Sequence, residues 1–343
     1  MADNTPIYPL TFTPIYKEKV WGGRSLEKLG RLLPGSKVGE SWELVDLSTT
    51  SVSGGGGGAE RSVVANGPLA GKTLHEVIEA GGKAILGNLS LNEFGQFPLL
   101  VKFLDANENL SVQVHPSADY AASHKGAFLK SEAWYIVDAQ PDAVIYKGVH
   151  DGVTPQQFRE AIANNEIEPL MIKVPVKPGD CHYLPSGTCH ALGKGVLVAE
   201  VQTPSDTTFR VYDWGRTGRA LHVDQAIQCI HFGPPELGQS EKRTHVVGEF
   251  AQTTRLVRCE YFNIDQVSMN KGYSEELIAG QPVIWMILKG SGTISYGETD
   301  DLSYKQGQTI LIPAGLEHAH MTADQDTLRL EVMFPQAMPM QMA

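Results

Sequence analysis

The chain has 343 residues, of which 42% are hydrophobic and 20% are charged. This composition is typical of a folded globular protein, and the length predicts two domains of about 150 residues each. The formal net charge of −11 argues against a nucleic acid or an anionic membrane as a partner.

The N-terminal segment and the cysteines indicate a reducing compartment. The segment MADNTPIYPLTFTP lacks a basic region followed by an apolar stretch, and no apolar run in the chain reaches the ~18 residues that cross a bilayer. The four cysteines show no CxxC spacing. We therefore expect a cytoplasmic protein without disulfides.

Most of the predicted elements are short strands bounded by Gly, Pro and Asn. In chain order they cover residues 97–104, 110–115, 133–138, 170–176, 196–202, 208–213, 283–288, 309–313 and 328–334. Helical periodicity occurs at residues 73–79, 118–127 and 154–164, the last with Thr154 as N-cap and Pro155 in the first turn. The glycine run within residues 51–59 predicts a loop. This pattern favours a mainly β fold with a small helical insertion in the first half.

An internal repeat indicates how the strands are organised. The segments KPGDCHYLPSGTCHAL and KQGQTILIPAGLEHAH both follow G-x5-P-x-G-x2-H, which ends at His190 in the first copy and at His318 in the second. The pattern is typical of a strand that enters a tight Pro/Gly turn before a histidine. It resembles the second motif of the cupin superfamily, which implies a bicupin, that is, two jelly-roll β-barrels.

The first half also contains the residues of a metal site. Gln113 and His115 lie two apart on a predicted strand, so their side chains leave the same face. Glu132 follows at the start of another strand, and His190 completes a set of two imidazoles, one carboxylate and one carboxamide. A competing zinc set, Cys181, His182, Cys189 and His190, would require both arms of one hairpin to converge.

The second half has no such set on its equivalent strand, PVIWMILKGSGTISYG. We therefore expect a second barrel without a metal, in which His318 and His320 are structural or surface residues. The predicted domains are residues 1–240, a metal-binding cupin domain with the helical insertion, and residues 241–343, a metal-free cupin domain.

Motifs along nearly the whole chain resemble type I mannose-6-phosphate isomerases of the short bacterial form. They are WGG from Trp21, GESWE from Gly39, QVHP from Gln113, KSE from Lys130, the PSGTCHAL turn, and SDTTFRVYD from Ser205. The resemblance implies an aldose–ketose isomerase that binds one Zn²⁺ per chain through Gln113, His115, Glu132 and His190. It also implies functional roles for Lys130, Asp206 and Arg210. Leu129 stands where some members carry a histidine, so a ring-opening role for that histidine does not transfer.

Isomerisation of a hexose phosphate moves a proton between C1 and C2 through an enediol, which requires charge stabilisation and a proton shuttle. We assign the charge stabilisation to Arg210, and Lys130, Asp206 and Glu200 remain alternatives for the proton shuttle. Lys102, Trp21 and Glu200 are candidate substrate-binding residues, and Lys130 could also bind the phosphate. Lys102, Arg216 and Arg219 are candidate phosphate ligands.

Two other functions fit the same motifs. A cupin oxygenase would use two histidines and one glutamate to bind iron, and a non-catalytic sugar-binding regulatory bicupin would use zinc to organise the barrel. The SDTTFR block and Lys130 favour the isomerase. The expected partner is a small sugar phosphate, and the sequence does not indicate the oligomeric state.

Overall fold

A computed structural model describes residues 5–48, 51, 58–234 and 244–335 of the chain. The predicted glycine loop at residues 51–59 lies largely outside the described residues. The chain forms two compact units, and each is assembled from separate segments. One unit comprises Pro14–Ser62 and Leu91–Leu237, and we call it the first unit. The second unit comprises Met1–Thr13, Val63–Ser90 and Gly238–Ala343.

The elements of the first unit are mostly strands. They are β2 (Ile15–Gly23), β3 (Val38–Leu44), β4 (Asp46–Leu47), β5 (Glu60–Arg61), β6 (Leu100–Ala106), β7 (Val112–Val114), β8 (Glu132–Ala139), β9 (Val144–Val149), β10 (Met171–Pro175), β11 (Cys181–Leu184), β12 (His190–Leu192), β13 (Val196–Gln202) and β14 (Phe209–Tyr212), with helices α2 (Ala118–Ser123), α3 (Pro155–Ala163) and α4 (Val223–Cys229) and 3-10 turns at Ser25–Leu29 and Glu168–Leu170.

The second unit contains one helix. Its elements are β1 (Leu10–Thr11), α1 (Leu74–Leu86), β15 (Thr244–Val247), β16 (Ala251–Arg258), β17 (Asn263–Met269), β18 (Ser274–Glu276), β19 (Val283–Lys289), β20 (Ser291–Tyr296), β21 (Asp300–Lys305), β22 (Thr309–Ile312), β23 (His320–Ala323) and β24 (Thr327–Met333). The mainly β prediction is confirmed, and an observed strand overlaps every predicted one.

The two units have the same strand order. In the first unit, sheets β11-β8-β13-β6-β3-β2 and β10-β9-β12-β7-β14 are antiparallel. In the second unit, β22-β19-β24-β17-β16-β15 and β21-β20-β23-β18 repeat these orders position by position, with β1 added at one edge. Strand β14 therefore has no counterpart among the described strands of the second unit. The repeated order supports two jelly-roll barrels. The division near residue 238 lies close to the expected boundary after residue 240, whereas residues 1–13 and 63–90, expected in the first domain, belong to the second unit. The assignment of a metal-binding and a metal-free domain stays a prediction.

The helices begin at the residues that the capping rules indicate. Thr154 caps α3 by accepting from the Gln157 amide, and Pro155 occupies the first turn. The apolar face of α3, with Phe158 and Ile162, packs in one core with Val112 and Val114 of β7. This core covers one face of the five-stranded sheet, so the alternate residues of β7 point to the other face. No helix in the described part of the chain is long and apolar enough to span a membrane, and none of the four cysteines forms a disulfide.

Candidate active site

The central residue of strand β7 aligns three candidate side chains. Gln113 lies opposite His190 of β12 on one side and opposite Arg210 of β14 on the other. Because Val112 and Val114 are fully buried in the core with α3, Gln113 points to the opposite face of the sheet. The strand pairing thus brings together residues separated by about a hundred positions in sequence.

The two histidines and the glutamate of the predicted metal set converge. Nε2 of His115 lies 3.4 Å from Oε2 of Glu132, and Nε2 of His190 lies 3.2 Å from Oε1 of the same carboxylate. The side-chain amide of Gln113 is 3.4 Å from Nε2 of His190. Within the described residues, His115, Glu132 and His190 are the one group of three or more His, Cys, Asp or Glu side chains whose ligand atoms all lie within 4.8 Å of one another.

Backbone carbonyls orient both imidazoles. Nδ1 of His115 is 2.8 Å from the Thr207 carbonyl oxygen, and Nδ1 of His190 is 2.8 Å from that of Thr188. A carbonyl oxygen only accepts hydrogen bonds, so each ring donates from Nδ1 and directs Nε2 towards Glu132. Metal-binding histidines are typically held in this way.

The ionisation of the site suits a cation. Burial, together with the charge of Lys130, lowers the pKa of His115 to about 3, so the ring is neutral at pH 7. Burial disfavours the charged form of Glu132, but Lys130 and the two histidines outweigh this and hold the pKa of its carboxyl well below the usual range. Neutral imidazoles and an ionised carboxylate are the protonation states in which these groups bind metals. The donor set therefore fits a divalent metal ion.

The competing cysteine–histidine set does not converge. The fully buried Cys189 packs in the core with α3 and α4, where its Sγ lies 3.8 Å from Sδ of Met171. Burial raises the pKa of the Cys189 thiol, which disfavours the thiolate that zinc requires. His190 is thus the member of that set that joins the candidate metal group.

A cavity in the first unit opens beside these residues. Its lining is mostly polar or charged and consists of Lys19, Trp21, Glu40, Trp42, Lys102, Leu104, Leu110, Ser111, Gln113, Lys130, Glu200, Asp206, Thr208, Arg210 and Arg219. All six residues predicted to be catalytic or substrate-binding are in this lining. Of the four predicted metal ligands, Gln113 lines the cavity, and the other three are at least 98% buried.

Lys130 lies between the cavity and the candidate metal ligands. Its Nζ is 2.6 Å from Oε2 of Glu132 and 3.2 Å from Nε2 of His115. Burial lowers the pKa of Lys130, but the carboxylates of Glu132 and Glu200 outweigh this and raise the pKa above its ordinary value. The side chain is therefore an ammonium that donates hydrogen bonds beside the ligand cluster.

One wall of the cavity is a chain of alternating charges. Nζ of Lys102 is 3.3 Å from Oε1 of Glu200 and 3.9 Å from Oε2 of Glu40, and it lies 4.9 Å from the ring centroid of Trp42. Each of the two carboxylates also accepts a hydrogen bond from an indole N–H group. Trp134 donates to Glu200 at 2.9 Å, and Trp42 donates to Glu40 at 2.6 Å. With Lys19, which is paired with Glu40, the wall is close to neutral, and it offers both donors and acceptors.

The opposite side of the cavity carries Arg210 and Asp206. Arg210 donates from Nε to Ser111 Oγ at 3.2 Å and from Nη1 to the Ala220 carbonyl at 3.0 Å. Neither Asp206 nor Asp213 forms an ion pair with Arg210 among the residues that the structure describes, so the guanidinium retains its charge for a ligand. Asp206 accepts from the Ser51 amide at 2.9 Å through Oδ1, whereas its buried Oδ2 has no hydrogen-bond partner in the described residues.

Several lining residues were not predicted from the sequence as site residues, namely Lys19, Glu40, Trp42, Ser111, Thr208 and the two leucines. Glu40 and Trp42 belong to the GESWE motif, where their spacing of two on a strand indicates one shared face. Lys19 carried no such signal, because surface lysines are common. It is paired with Glu40 at 3.1 Å. Of the three candidate phosphate ligands, Lys102 and Arg219 line the cavity, whereas Arg216 does not.

Two antiparallel sheets, a buried His–Glu–His cluster with a neighbouring glutamine, and a charged cavity define the site of a metal-dependent enzyme acting on a small polar molecule.

Comparison with known proteins narrows this class. Residues 10–145 match the model of the type I phosphomannose isomerase catalytic domain. The chain is 38% identical to the mannose-6-phosphate isomerase ManA of Bacillus subtilis over 90% of this chain and 94% of that one, and 34% identical to the mannose-6-phosphate isomerase of Streptococcus mutans over 89% and 92%. A crystal structure of the Bacillus subtilis mannose 6-phosphate isomerase matches with a TM-score of 0.82 at 32% identity, covering 94% of this chain and 99% of that one. The chain belongs to the type I mannose-6-phosphate isomerase family.

Proposed function

We propose that the protein interconverts mannose 6-phosphate and fructose 6-phosphate at a zinc site in its first unit. The observation that carries the proposal is the convergence of Gln113, Lys130, Asp206 and Arg210 on one cavity, beside the buried cluster of His115, Glu132 and His190. The relatives of this chain are named for the same reaction.

The metal would be held by Nε2 of His115, Nε2 of His190, the Glu132 carboxylate and the side-chain amide oxygen of Gln113. Nitrogen and oxygen donors of this kind, with two histidines and one glutamate, suit zinc. When bound, a zinc ion polarises a carbonyl group as a Lewis acid. Gln113 both lines the cavity and contacts the cluster, so the substrate carbonyl would reach the site on its side.

Arg210 would stabilise the negative charge that develops on the substrate oxygens. Its guanidinium is bonded to two neutral acceptors, Ser111 Oγ and the Ala220 carbonyl, so its orientation is fixed and its charge is not neutralised by a carboxylate. A donor held in place before the reaction stabilises the enediolate without reorganisation, and one such donor is worth about 2.7–4 kcal/mol of barrier.

The proton between C1 and C2 would be moved by Asp206, with Lys130 donating to the adjacent oxygen. Oδ2 of Asp206 is an acceptor without a hydrogen-bond partner in the described residues and belongs to a cavity-lining side chain. Lys130 is protonated and held by Glu132, so it serves as a donor. Oε2 of Glu200 accepts from Trp134, and its Oε1 has no hydrogen-bond partner in the described residues but lies 3.3 Å from Nζ of Lys102. The ion pair with Lys102 makes Glu200 a weaker candidate for the base.

The near-neutral wall of Lys19, Lys102, Glu40 and Glu200 would bind the sugar hydroxyl groups, because hydroxyls both donate and accept hydrogen bonds. Trp21, 4% exposed and packed among the apolar residues of the same unit, would form an apolar side of the pocket. The family assignment favours this isomerase over the oxygenase and the non-catalytic bicupin.

The test is a coupled assay for fructose 6-phosphate formation from mannose 6-phosphate, before and after chelation and after zinc is restored. We expect turnover that the chelator abolishes and zinc restores. Full turnover after verified metal removal would contradict the zinc proposal. Absence of turnover in the zinc-loaded protein would contradict the reaction, and oxygen consumption in its place would identify the oxygenase.

A further inference from the structure

The loop between β14 and α4 holds a cluster of arginines around one buried carboxylate. It contains Asp213, Trp214, Arg216 and Arg219 in the sequence DWGRTGRA. Trp214, Gly215 and Gly218 have φ values of +55°, +76° and +89°, which give the loop two tight reversals. The Trp214 indole donates to the Leu110 carbonyl oxygen at 2.6 Å, and this bond attaches the loop to the strand region that precedes β7.

Asp213 orients both arginine side chains. Its carboxylate, in a residue that is 4% exposed, accepts from Nε of Arg219 at 2.8 Å and from Nη2 of Arg216 at 2.7 Å, and Nη2 of Arg219 also bonds to it. Arg216 has a second carboxylate nearby, since its Nη1 lies 3.7 Å from Oε2 of Glu108. Two guanidinium groups thus share one buried carboxylate, and Asp213 orients the Arg219 side chain through two hydrogen bonds.

The two arginines differ in where they point. Arg219 lines the cavity and Arg216 does not. Nη1 of Arg219 has no hydrogen-bond partner within the described residues, so it is available to a ligand. Arg219 is also next to Ala220, whose carbonyl oxygen binds the Arg210 guanidinium, and both arginines line the cavity.

The cavity therefore has an uneven charge distribution. On one wall, Lys19 and Lys102 are balanced by Glu40 and Glu200. On the other side, burial and the positive charges of Arg219 and Arg216 lower the pKa of Arg210, and the attraction of Asp213 does not offset them. In a chain with a net charge of −11, a local excess of positive charge is the feature that an anionic ligand requires.

The side chains at the site differ in solvent exposure, and this difference indicates how a substrate would lie in the cavity. His115, Glu132 and His190 are at most 2% exposed, Arg210 is 8% exposed, and the side chain of Arg219 is 26% exposed. A substrate that reacts at C1 and C2 near Gln113 would extend its sixth carbon away from the ligand cluster, and Arg219 is the more exposed of the two arginines that line the cavity. We propose that Arg219, positioned by Asp213, binds the phosphate group of the substrate and is the residue that selects phosphorylated over unphosphorylated sugars.

This inference rests on the proposed function, and it is tested by comparing Arg219→Met with the matched control Arg216→Met. Both variants remove one guanidinium from the same carboxylate, but only the first removes a cavity cation. Initial rates with mannose 6-phosphate, inhibition by inorganic phosphate, zinc content and melting temperature are measured for each. We expect Arg219→Met to raise KM and the phosphate inhibition constant by about 10- to 100-fold while kcat changes by less than about threefold. Arg219→Lys should recover part of the loss, and Arg216→Met should leave both constants within about threefold of the wild type.

Unchanged KM and phosphate inhibition in a folded, zinc-loaded Arg219→Met variant would overturn the inference. Equal losses in the Arg216 and Arg219 variants would also overturn it, because they would indicate a structural role for the Asp213 cluster. Phosphate binding measured by calorimetry separates this inference from the reaction itself. Weaker phosphate binding in Arg219→Met supports the anion site even without turnover in the wild type, and a wild type that does not bind phosphate refutes it.

Discussion

The two units use the same strand order and the same turn motif, yet their motif histidines differ in position. In the first unit the turn leads directly into β12, whose first residue is His190, 1% exposed and facing Glu132. In the second unit His318 has a φ of +57° and is exposed, and β23 begins two residues later at His320, also exposed.

The left-handed residue reverses which side chains point inward. After His318, Ala319 and Met321 are fully buried, and they belong to the apolar core of the second unit. Because side chains alternate along a strand, a shift of one residue exchanges the buried and exposed sets. The same four-residue motif therefore gives a buried imidazole in one unit and surface histidines in the other.

The interiors of the two units also differ at β13 of the first unit and its counterpart β24 of the second. Glu200 of β13 lies opposite Trp134, and Glu331 of β24 lies opposite Trp285, so the Trp–Glu pair is repeated. In the second unit, however, the buried guanidinium of Arg329 lies 3.8 Å from the ring centroid of Trp285 and donates to Glu331 from Nε at 2.8 Å. An internal ion cluster thus lies where the first unit has its cavity wall, which indicates a structural role for the second interior.

The largest expected effect comes from exchanging the motif histidines for alanine. His190→Ala should lower zinc affinity by roughly 10²- to 10³-fold and abolish turnover at limiting zinc, because one of four ligands is lost. His318→Ala should leave zinc content and turnover unchanged. Zinc titration against a chelator and the coupled assay measure both variants. Equal zinc loss in the two variants would contradict this prediction, because it would show that the exposed His318 also binds zinc.

The next effect concerns β14, the strand without a counterpart in the described second unit. Arg210→Ala should retain zinc while kcat falls by about 10²- to 10³-fold, since a fixed donor to the developing charge is removed. Metal analysis of the purified variant accompanies the rate measurement. Unchanged turnover in this variant would exclude the proposed role of Arg210.

The repeated Trp–Glu pair gives a smaller and more selective effect. Glu200→Gln should lower kcat/KM by about tenfold, because Lys102 loses its ionised partner in the cavity wall. Glu331→Gln should leave kcat/KM unchanged and lower the free energy of unfolding by about 1–3 kcal/mol, because Arg329 loses a charged acceptor. Kinetics and denaturant unfolding of both variants distinguish the two. Reduced kcat/KM in Glu331→Gln would show that the second interior takes part in catalysis.

The smallest effect is a pH dependence carried by the cavity wall. Burial raises the pKa of Glu40, but attraction to Lys19 and Lys102 outweighs it and lowers the pKa to about 2. The unfolded carboxyl titrates near 4.5, so ionised Glu40 stabilises the fold above that pH, and the stabilisation is lost as the pH falls towards 2. Glu40→Gln should be less stable than the wild type by about 1–3 kcal/mol at neutral pH. Thermal melting between pH 2 and 7 should show this gap closing below about 4.5, whereas a constant gap would contradict the assignment.

The sequence by itself determined the mainly β class and the position of each predicted strand, and it predicted the members of the metal set. Strand residues alternate in a period of two, so Gln113 and the residues around it were readable from local pattern. The Gly/Pro turn motif identified both copies, because positive φ and tight reversals restrict residue choice. Lys19 and helix α4 carried no comparable local signal. The sequence placed residues 1–13 and 63–90 in the first domain, whereas the structure joins them to the second unit.

The sequence predicted that the second copy of the motif has no metal set. Only the tertiary structure showed how the two motif histidines differ. His190 and His318 have the same motif spacing, and the difference between them is one backbone φ and the neighbouring strands that this orientation allows. It also decided which arginine faces the cavity, since Arg216 and Arg219 bind one carboxylate and differ only in direction. Long-range pairing sets these directions, because the side chain of a loop residue is oriented by partners distant in sequence.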